Sequence, residues 1–311
     1  MKDKRVIFMG TPEFSVPILE ALIQNTNVIA VVTQPDKEVG KKGIVFSPIK
    51  EVAIKNNIKV FQPIRIRKEF DEIINLHPDI IITCAYGQII PTEILECPKY
   101  GCINVHASLL PYLRGGAPIH HAIIDGYEKT GITIMYMDEK MDEGDIISQE
   151  ETPITLDDTT LKLHDRLSLM GRDLLLKTLP SIFDSTNQRI KQDHSIATYG
   201  FNIKREDEKI DFNKTRKEIF NQVRGLNSWP GAYTLLDNHV LKVWEVTIGE
   251  EKNTSTTGTI VGLNKDGIIV SCKDGLLILK MIQPEGKKKM LASAYLNGLK
   301  NKEELIGKVL V

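Results

Sequence analysis

The N-terminal half of the chain alternates short apolar runs with stretches in which apolar residues recur at helical spacing. The first run, residues 5–9, ends at Gly10-Thr11-Pro12, where Thr can cap a helix and Pro fits its first turn. Such alternation is typical of βα units on a parallel sheet with both faces covered, and it predicts a doubly wound α/β domain. The runs predict further strands at 27–34, 59–63, 79–87 and 102–106, and helices at 47–57, at 68–76 and shortly before residue 102.

Two later segments complete this domain. Residues 131–150 hold two strand-like runs around an acidic, glycine-containing turn, which predicts a hairpin at the edge of the sheet. Residues 159–182 repeat Leu at three- and four-residue spacing, which predicts a helix with an apolar stripe against the domain. We therefore predict that the first domain spans residues 1–183.

The pattern changes in the last third of the chain. A polar segment without clear periodicity predicts a linker at 184–203. After it, one helical stretch at 215–226 precedes short alternating runs separated by Gly, Asn and Asp, and these favour a small β-barrel over residues 204–311. The runs lie at 232–236, 240–248, 258–263, 267–272 and 275–282.

Composition allows two such domains and leaves the partner open. The 311 residues are 41% hydrophobic, and 40 Lys and Arg nearly balance 41 Asp and Glu, so net charge gives no reason to expect non-specific binding to nucleic acid or membrane. The charges are uneven, with 20 basic and 25 acidic residues in 1–180 but 20 and 16 in 181–311. This difference is either ordinary scatter or the mark of a C-terminal module that holds a polyanion.

Cysteine usage and apolar runs bear on the compartment. The four cysteines form no C-x-x-C pair, so we expect reduced thiols and no disulfide framework. The apolar stretch near the N-terminus is far shorter than a signal-peptide core, and no run approaches the roughly 20 residues of a membrane span. We expect a cytoplasmic protein without a membrane partner.

The segment INVHASLLPYLRGGAPI, residues 103–119, carries the strongest chemical signal. Asn104 and His106 are two apart in a predicted strand, so their side chains point the same way at its C-terminal end, where ligands bind in open α/β sheets. A carboxamide and an imidazole there can stabilise the oxyanion formed when a nucleophile adds to a carbonyl. His106 alone is better explained as a core histidine, but Asn104 beside it and the loop from Pro111 to Gly116 directly after it favour a functional site.

The acidic turn MDEKMDEGD, residues 137–145, is a second candidate. Its carboxylates lack the order of a calcium loop, and a solvated hairpin turn explains most of them. A carboxylate close to His106 would be different, because it would stabilise the imidazolium form and could accept a proton.

Other patterns argue against a nucleotide cofactor and against a metal site. Gly10-Thr11-Pro12 matches neither a Walker loop nor a dinucleotide fingerprint, and the adjacent His120 and His121 point in different directions, so we expect no nucleotide cofactor and no metal. Two basic clusters, KEVGKKG at 37–43 and GKKKM at 286–290, are either solvated surface or phosphate contacts.

Two of these segments are similar to the core motifs of a known family. INVHASLLPYLRGGAPI followed by MDEGDI resembles the core of the folate-dependent formyltransferases. The segments RVIFMGTPEFSVPIL, VVTQPDKEVGKKG, VRGLNSWPGAYT and QPEGKKKMLASAYLNG extend the resemblance, from end to end, to the members that act on methionyl-tRNA. It implies a Rossmann-like formyltransferase domain followed by an OB-like barrel that binds tRNA.

The resemblance also implies particular residues. Asn104, His106 and Asp142 match the family's catalytic Asn, His and Asp. We expect 10-formyltetrahydrofolate to donate the formyl group and initiator methionyl-tRNA to accept it. The expected folate contacts are Ser108, Leu109, Leu110, Pro111, Tyr86, Gly87, Gln88, Ile89 and Met137. The expected tRNA contacts are Lys37, Lys41, Lys42, Arg224, Lys287, Lys288 and Lys289.

Other functions are less consistent with these motifs. A formyltransferase for a small amine, such as a sugar nucleotide, would share the motif but has no need of a basic barrel. A tRNA-binding protein without catalysis is disfavoured because Asn104, His106 and Asp142 are all present. A hydrolase of 10-formyltetrahydrofolate is disfavoured because the chain has no room for the regulatory domain of that family. We further expect a monomer, and we expect Trp229 to pack within the barrel or between domains rather than to stack on a base.

Overall fold

The computed structural model describes residues 1–38, 40, 43–252 and 255–311. The chain divides into two compact units, and each contains segments that are distant in sequence. The N-terminal unit comprises residues 1–118, 129–153 and 164–201, and the C-terminal unit comprises residues 119–128, 154–163 and 202–311. These bounds differ from the predicted 1–183, 184–203 and 204–311, because spatial contact joins segments that a division along the sequence keeps apart.

A mixed seven-stranded sheet forms the centre of the N-terminal unit, with the strand order β5-β2-β1-β6-β7-β8-β9. The first five strands in this order pair in parallel. Strand β8 pairs antiparallel with both of its neighbours, β7 and β9. The predicted doubly wound α/β class and the hairpin at the sheet edge are therefore confirmed. The strands are β1 (Arg5–Gly10), β2 (Asn27–Val32), β5 (Lys59–Phe61), β6 (Ile80–Cys84), β7 (Cys102–His106), β8 (Lys129–Tyr136) and β9 (Ile146–Pro153), while β3 (Lys37–Glu38) and β4 (Ile44–Val45) pair separately.

The helices before residue 184 follow the apolar spacing of the sequence. One of them begins where Ser47 accepts a hydrogen bond from the backbone N–H of Lys50 and Pro48 occupies the first turn, as expected for a helix start. The stretch predicted as a helix at 68–76 is shorter in the structure and is flanked by turns. The helices are α1 (Val16–Asn25), α2 (Pro48–Lys55), α3 (Asp71–Ile74), α4 (Thr92–Glu96), α5 (Pro118–Ile124) and α6 (Thr160–Phe183).

Antiparallel strands form the C-terminal unit, in the order β10-β11-β14-β13-β12 with β15 on β14. Apolar residues that face inward along these strands make a separate core with Ile219 and Val223. The strands are β10 (Ala232–Leu236), β11 (His239–Ile248), β12 (Ile260–Leu263), β13 (Ile268–Cys272), β14 (Gly275–Pro284) and β15 (Met290–Leu291), and the helices are α7 (Arg205–Glu208), α8 (Arg216–Gly225) and α9 (Ala292–Asn297).

Residues 307–311 close this sheet into a barrel. The backbone N–H of Leu310 donates to the carbonyl of Gly258 just before β12, at 2.8 Å. On the other side, Leu235 of β10 and Val311 exchange both backbone hydrogen bonds, at 2.9 and 3.1 Å. The two edge strands are thus bridged by the last residues, which leaves the predicted barrel without an open edge there.

Most of the segment predicted as a linker, up to residue 201, belongs to the N-terminal unit. Ile190 pairs with Ile146 at the start of β9, and Arg114 forms a parallel bridge with Tyr199. Buried Gln192 hydrogen bonds with the turn between β8 and β9.

Among the described residues, no helix is both long and apolar enough to cross a bilayer.

Candidate active site

Asn104 and His106 lie on β7, between β6 and β8, where the parallel strands end. Asn104 is in register with Thr83 on one side and with Met135 on the other, and His106 is in register with Thr133. Because β1, β6 and β7 run in parallel, their carboxyl ends share one edge of the sheet. The structure therefore places both predicted residues at the edge where a ligand crevice is expected.

The carboxamide of Asn104 is oriented by a neighbouring hydroxyl. Thr83 Oγ1 donates to Asn104 Oδ1 at 2.9 Å. Thr83 is buried, whereas Asn104 is partly exposed. Among the described residues the Asn104 amide nitrogen has no hydrogen-bond acceptor, so both of its N–H groups are available to an oxygen of a substrate.

His106 is buried, with 6% of its surface exposed, and its two ring nitrogens have different neighbours. Nε2 lies 3.1 Å from the backbone carbonyl of Leu113. A carbonyl oxygen only accepts, so Nε2 carries a proton and Nδ1 is the nitrogen left for chemistry. Nδ1 lies 3.7 Å from Oδ1 of Asp142.

Asp142 lies in the turn between β8 and β9, where its backbone adopts a left-handed conformation with φ of 53°. Its second carboxylate oxygen, Oδ2, accepts from the backbone N–H of Gly115 at 2.8 Å. That hydrogen bond fixes one oxygen and leaves Oδ1 towards the imidazole. Of the carboxylates predicted in this turn, Asp142 is the one that the structure brings to His106.

The three side chains together suit acyl transfer. Asn104 offers N–H donors for a developing oxyanion, and His106 with Asp142 offers a site that can hold or move a proton. Within the described residues no group of three or more His, Cys, Asp or Glu side chains is arranged to hold a metal ion.

The segment after β7 is held rigidly by hydrogen bonds. Thr133 Oγ1 donates to the carbonyl of Ser108 at 2.7 Å and accepts from the backbone N–H of Leu110 at 3.1 Å. The Ser108 hydroxyl donates to the Tyr112 carbonyl at 2.6 Å, and Leu110 packs in the core with Met135 and Ile146. Leu109 and Pro111 are partly exposed. Of the four predicted folate contacts here, these two present side chains to solvent while Ser108 and Leu110 are buried.

The loop 86–89 is also largely committed to the fold. The buried Tyr86 side chain packs in the core, and its carbonyl accepts from Thr11 Oγ1 at 3.1 Å and Gln34 Nε2 at 3.0 Å. Gln88 accepts from the Ile66 N–H at 2.9 Å. Gly87 has a φ of 89°, and the side chain of Ile89 is 64% exposed. Ile89 is therefore the member of this loop best placed to contact an apolar ligand ring.

Met137 packs on the core cluster that contains Tyr86 of this loop and Cys102 of β7. Its backbone N–H donates to the Cys102 carbonyl at 2.8 Å. Its sulfur lies 3.1 Å from Thr83 Oγ1, the hydroxyl that contacts Asn104. The structure thus places Met137 beside the hydroxyl that contacts Asn104.

The basic residues predicted to contact tRNA have different surroundings. Lys37 is exposed on β3, whereas Lys41 and Lys42 lie outside the described residues. Arg224 on α8 is engaged within its own unit, because Nη1 donates to the carbonyls of Thr155 at 2.7 Å and Asp158 at 3.1 Å. Partial burial lowers the pKa of Arg224, and this engagement indicates a structural role for its guanidinium.

Lys287, Lys288 and Lys289 are exposed in the turn between β14 and β15. The Lys289 ammonium lies 4.8 Å from the ring of Trp244, and that of Lys242 lies 5.5 Å from the same ring. The ring of Trp244 therefore lies close to the ammonium groups of both Lys289 and Lys242. The sequence gave no reason to single out Trp244.

The expectation that Trp229 packs within the barrel is wrong. Its side chain is 67% exposed, and its described contacts are with His120, whose ring lies edge-on at 5.3 Å. Pro230 and Gly231 follow it in a turn that ends at β10, so the chain has no strand register there to direct the indole inward.

Comparisons with known proteins agree with this geometry. The model of the formyl transferase family matches residues 4–179, and that of the formyl transferase C-terminal domain matches residues 202–300. A methionyl-tRNA formyltransferase from Bacillus thuringiensis subsp. konkukian is 52% identical over 302 residues, which cover 95% of this chain and 96% of that protein. One from Bacillus anthracis has the same identity and coverage.

Solved structures with similar folds include a protein bound to an amino sugar. An N-formyltransferase from Helicobacter canadensis, in complex with folinic acid and dTDP-3-aminofucose, has a TM-score of 0.67 at 24% identity. The similarity covers 90% of this chain and 99% of that one. At this identity the likeness concerns the fold.

Proposed function

The chain belongs to the formyl transferase family, and we propose that it transfers a formyl group from 10-formyltetrahydrofolate to the α-amino group of methionine on initiator tRNA. The observation that carries the proposal is the contact between His106 and Asp142 beside Asn104, whose amide N–H groups have no acceptor in the described part of the chain. The similarity of almost the whole chain to proteins named methionyl-tRNA formyltransferase supports this acceptor.

The chemistry requires one bond to form and one to break. The amine nitrogen bonds to the formyl carbon, and the bond from that carbon to N10 of the folate breaks. The amine loses a proton, and N10 gains one. Negative charge develops on the formyl oxygen during this exchange, so a preorganised donor there lowers the barrier.

Each of the three side chains has a separate task in this proposal. Asn104 donates to the formyl oxygen, because Thr83 already holds the opposite end of its carboxamide. His106 acts through Nδ1, since Nε2 is engaged by Leu113, and it passes a proton towards N10. Asp142 stabilises the charged ring and accepts the proton that the amine loses, directly or through a water molecule.

The formyl donor fits residues at the same edge of the sheet. The N–H groups of Asn104 match the formyl oxygen, and the exposed Ile89 with the partly exposed Leu109 offers apolar surface for the pterin ring. Because the side chains of Ser108, Leu110 and Tyr86 are buried, their contribution is to shape the backbone that borders the ring.

A tRNA acceptor calls for basic surface beyond this pocket. We propose that Lys287, Lys288 and Lys289 contact backbone phosphates and that Lys37, Lys41 and Lys42 contact the acceptor end. Arg224 is less suited to this task, since its guanidinium already holds the carbonyls of Thr155 and Asp158. The monomeric state and the cytoplasmic location remain predictions.

A side-by-side acceptor assay tests the proposal. Purified protein and 10-formyltetrahydrofolate are incubated with initiator methionyl-tRNA, elongator methionyl-tRNA or a dTDP-linked amino sugar, and formylated product is measured. We expect efficient formylation of the initiator alone. Formylation of the amino sugar at a comparable kcat/KM would replace the proposed acceptor, and absence of product from all three would overturn the proposed activity.

A further inference from the structure

Arg114 is a buried arginine at the centre of a network beside the proposed catalytic carboxylate. Its side chain is 1% exposed, although arginine is almost never fully buried without partners. The residue after it, Gly115, donates its backbone N–H to Asp142 Oδ2. Arg114 and Asp142 are thus joined through one peptide unit and one hydrogen bond.

The guanidinium has three side-chain partners at the turn of Asp142. Nε and Nη2 donate to Gln192 Oε1 at 3.2 and 2.8 Å, and Nη1 lies 3.3 Å from Glu143 Oε1. Nη2 also lies 3.0 Å from Nδ1 of His194. Two donors on one acceptor and a carboxylate nearby offset the cost of burying this charge.

Gln192 also hydrogen bonds with the backbone around Asp142. Its Nε2 donates to the carbonyl of Asp142 at 2.9 Å and to that of Gly144 at 2.8 Å. The two N–H groups of one carboxamide therefore bind both sides of the turn, while its oxygen faces Arg114. Gln192 is itself buried, with 7% of its surface exposed.

Asp142 needs such support because its backbone is in an unfavourable region. A φ of 53° is left-handed, and residues other than glycine adopt it at a cost unless their surroundings hold them there. The turn lies outside the β8–β9 ladder, so strand pairing does not hold it.

We propose that Arg114 and Gln192 are positioning residues that hold the Asp142 turn so that Oδ1 faces Nδ1 of His106. This inference rests on the proposed catalytic role of Asp142. It assigns a function in catalysis to the segment 184–201, from which Gln192 extends into the site.

The variant Gln192→Glu tests the network with little change in shape. Glutamate keeps an oxygen for Arg114 but replaces the NH2 group with an oxygen that faces the carbonyls of Asp142 and Gly144. We expect kcat for initiator methionyl-tRNA to fall about 100-fold, as for a catalytic group displaced by about 1 Å, while KM for the formyl donor stays within a few-fold. Gln188→Glu, the same change at an exposed position of the same segment, should leave kcat unchanged.

A double-mutant cycle separates positioning from a merely structural role. If Gln192 acts through Asp142, Gln192→Glu adds little to the loss caused by Asp142→Asn. A loss equal to the product of the two single losses overturns the positioning role and leaves the role of Asp142 intact. Turnover unchanged by Asp142→Asn alone would overturn both. If Gln192→Glu does not fold, Gln192→Met, of similar size and without charge, serves in the same cycle.

Discussion

The Nδ1 atom of His106 and the Oδ1 atom of Asp142 lie 3.7 Å apart, although 36 positions separate the residues in the sequence. The other atoms of both groups are already engaged, Nε2 by the Leu113 carbonyl and Oδ2 by the Gly115 N–H. Neither ring nor carboxylate can turn away without losing a hydrogen bond. The pair is therefore preorganised, as expected for groups that must meet a transition state without rearrangement.

The first prediction follows from this pair. Asp142→Asn removes the charge but keeps the size, and we expect kcat to fall by about 100-fold or more, the usual contribution of a positioned acid or base. Affinity for the formyl donor should change little, because the lost interaction matters mainly in the transition state. Single-turnover kinetics and equilibrium folate binding measure the two effects separately.

Two controls define this prediction. Asp145→Asn changes a carboxylate of the same turn that pairs with Arg189 at 3.0 Å, and it should leave kcat near that of the unchanged protein. His106→Ala combined with Asp142→Asn should be little slower than the slower single variant. Independent, multiplicative losses would contradict a shared role.

A second prediction concerns the orientation of Asn104. Thr83→Val removes the hydroxyl that donates to Asn104 Oδ1, and we expect kcat to fall about 10-fold because the amide donors are no longer aimed. Thr130→Val is the matched control. Both threonines are 2% exposed, but Thr130 Oγ1 has no hydrogen-bond partner within the described residues. Thr130→Val should therefore leave kcat unchanged and the free energy of unfolding within about 0.5 kcal/mol. Equal effects of the two variants would contradict the prediction.

The sequence was sufficient to predict the layers of both units and, from pattern alone, to select Asn104 and His106 as candidate site residues on one strand. Asn104 and His106 share a face because side chains in a strand repeat every two residues, and the buried Cys102, Ile103 and Val105 mark β7 as a strand. The barrel strands were predicted for the same reason. Asp142 was identified through a family resemblance, since its turn holds several carboxylates and spacing alone does not select one of them.

The support for the site was not predictable from local pattern. Gln192 lies in a polar, non-periodic stretch, which is typical of solvated chain, yet it is buried because Arg114 and two backbone carbonyls satisfy its amide. Closure of the barrel by residues 307–311 likewise depends on pairing between Leu235 and Val311, which are distant in sequence. Hydropathy records the cost of burying a polar side chain, but not the distant partners that offset it.

A third prediction concerns the buried thiol of Cys84. Burial raises its pKa from an ordinary value of 9.0 to about 12. The folded protein therefore holds this thiol protonated up to about pH 12, while the unfolded chain loses the proton from pH 9. Cys84 thus favours the folded state fully below pH 9, and this contribution is lost as the pH rises towards 12.

Thiol labelling checks this expectation. At pH 9 Cys84 should resist iodoacetamide in the folded protein and react after denaturation, as located by mass spectrometry. The partly exposed Cys97 is the internal control and should react sooner. In addition, Cys84→Ala should reduce the fall in the free energy of unfolding between pH 9 and 11. Labelling of Cys84 at the rate of Cys97 in the folded protein would contradict its burial.

The last prediction separates the two basic regions proposed to hold tRNA. Changing Lys287, Lys288 and Lys289 to Ala removes exposed charge far along the chain from the triad, so KM for the tRNA should rise while kcat at saturation stays nearly constant. The slope of log KM against log salt should fall by about 0.7–0.9 for each phosphate that the variant no longer neutralises. Changing Lys265, Lys273 and Lys300 to Ala removes the same charge from other exposed turns of the C-terminal unit and should alter neither quantity.

The variant with Lys41 and Lys42 changed to Ala should behave differently. These residues follow the strand end at β2, in the unit that carries the triad, so their removal is expected to misplace the methionine amine as well as to weaken binding. Misplacement of a reacting group lowers kcat, whereas removal of a lysine that contacts only a phosphate weakens binding. Initial rates over a range of tRNA and salt concentrations measure both effects in one experiment. If both variants changed only KM, or if neither changed the salt slope, the proposed binding of tRNA to both regions would be wrong.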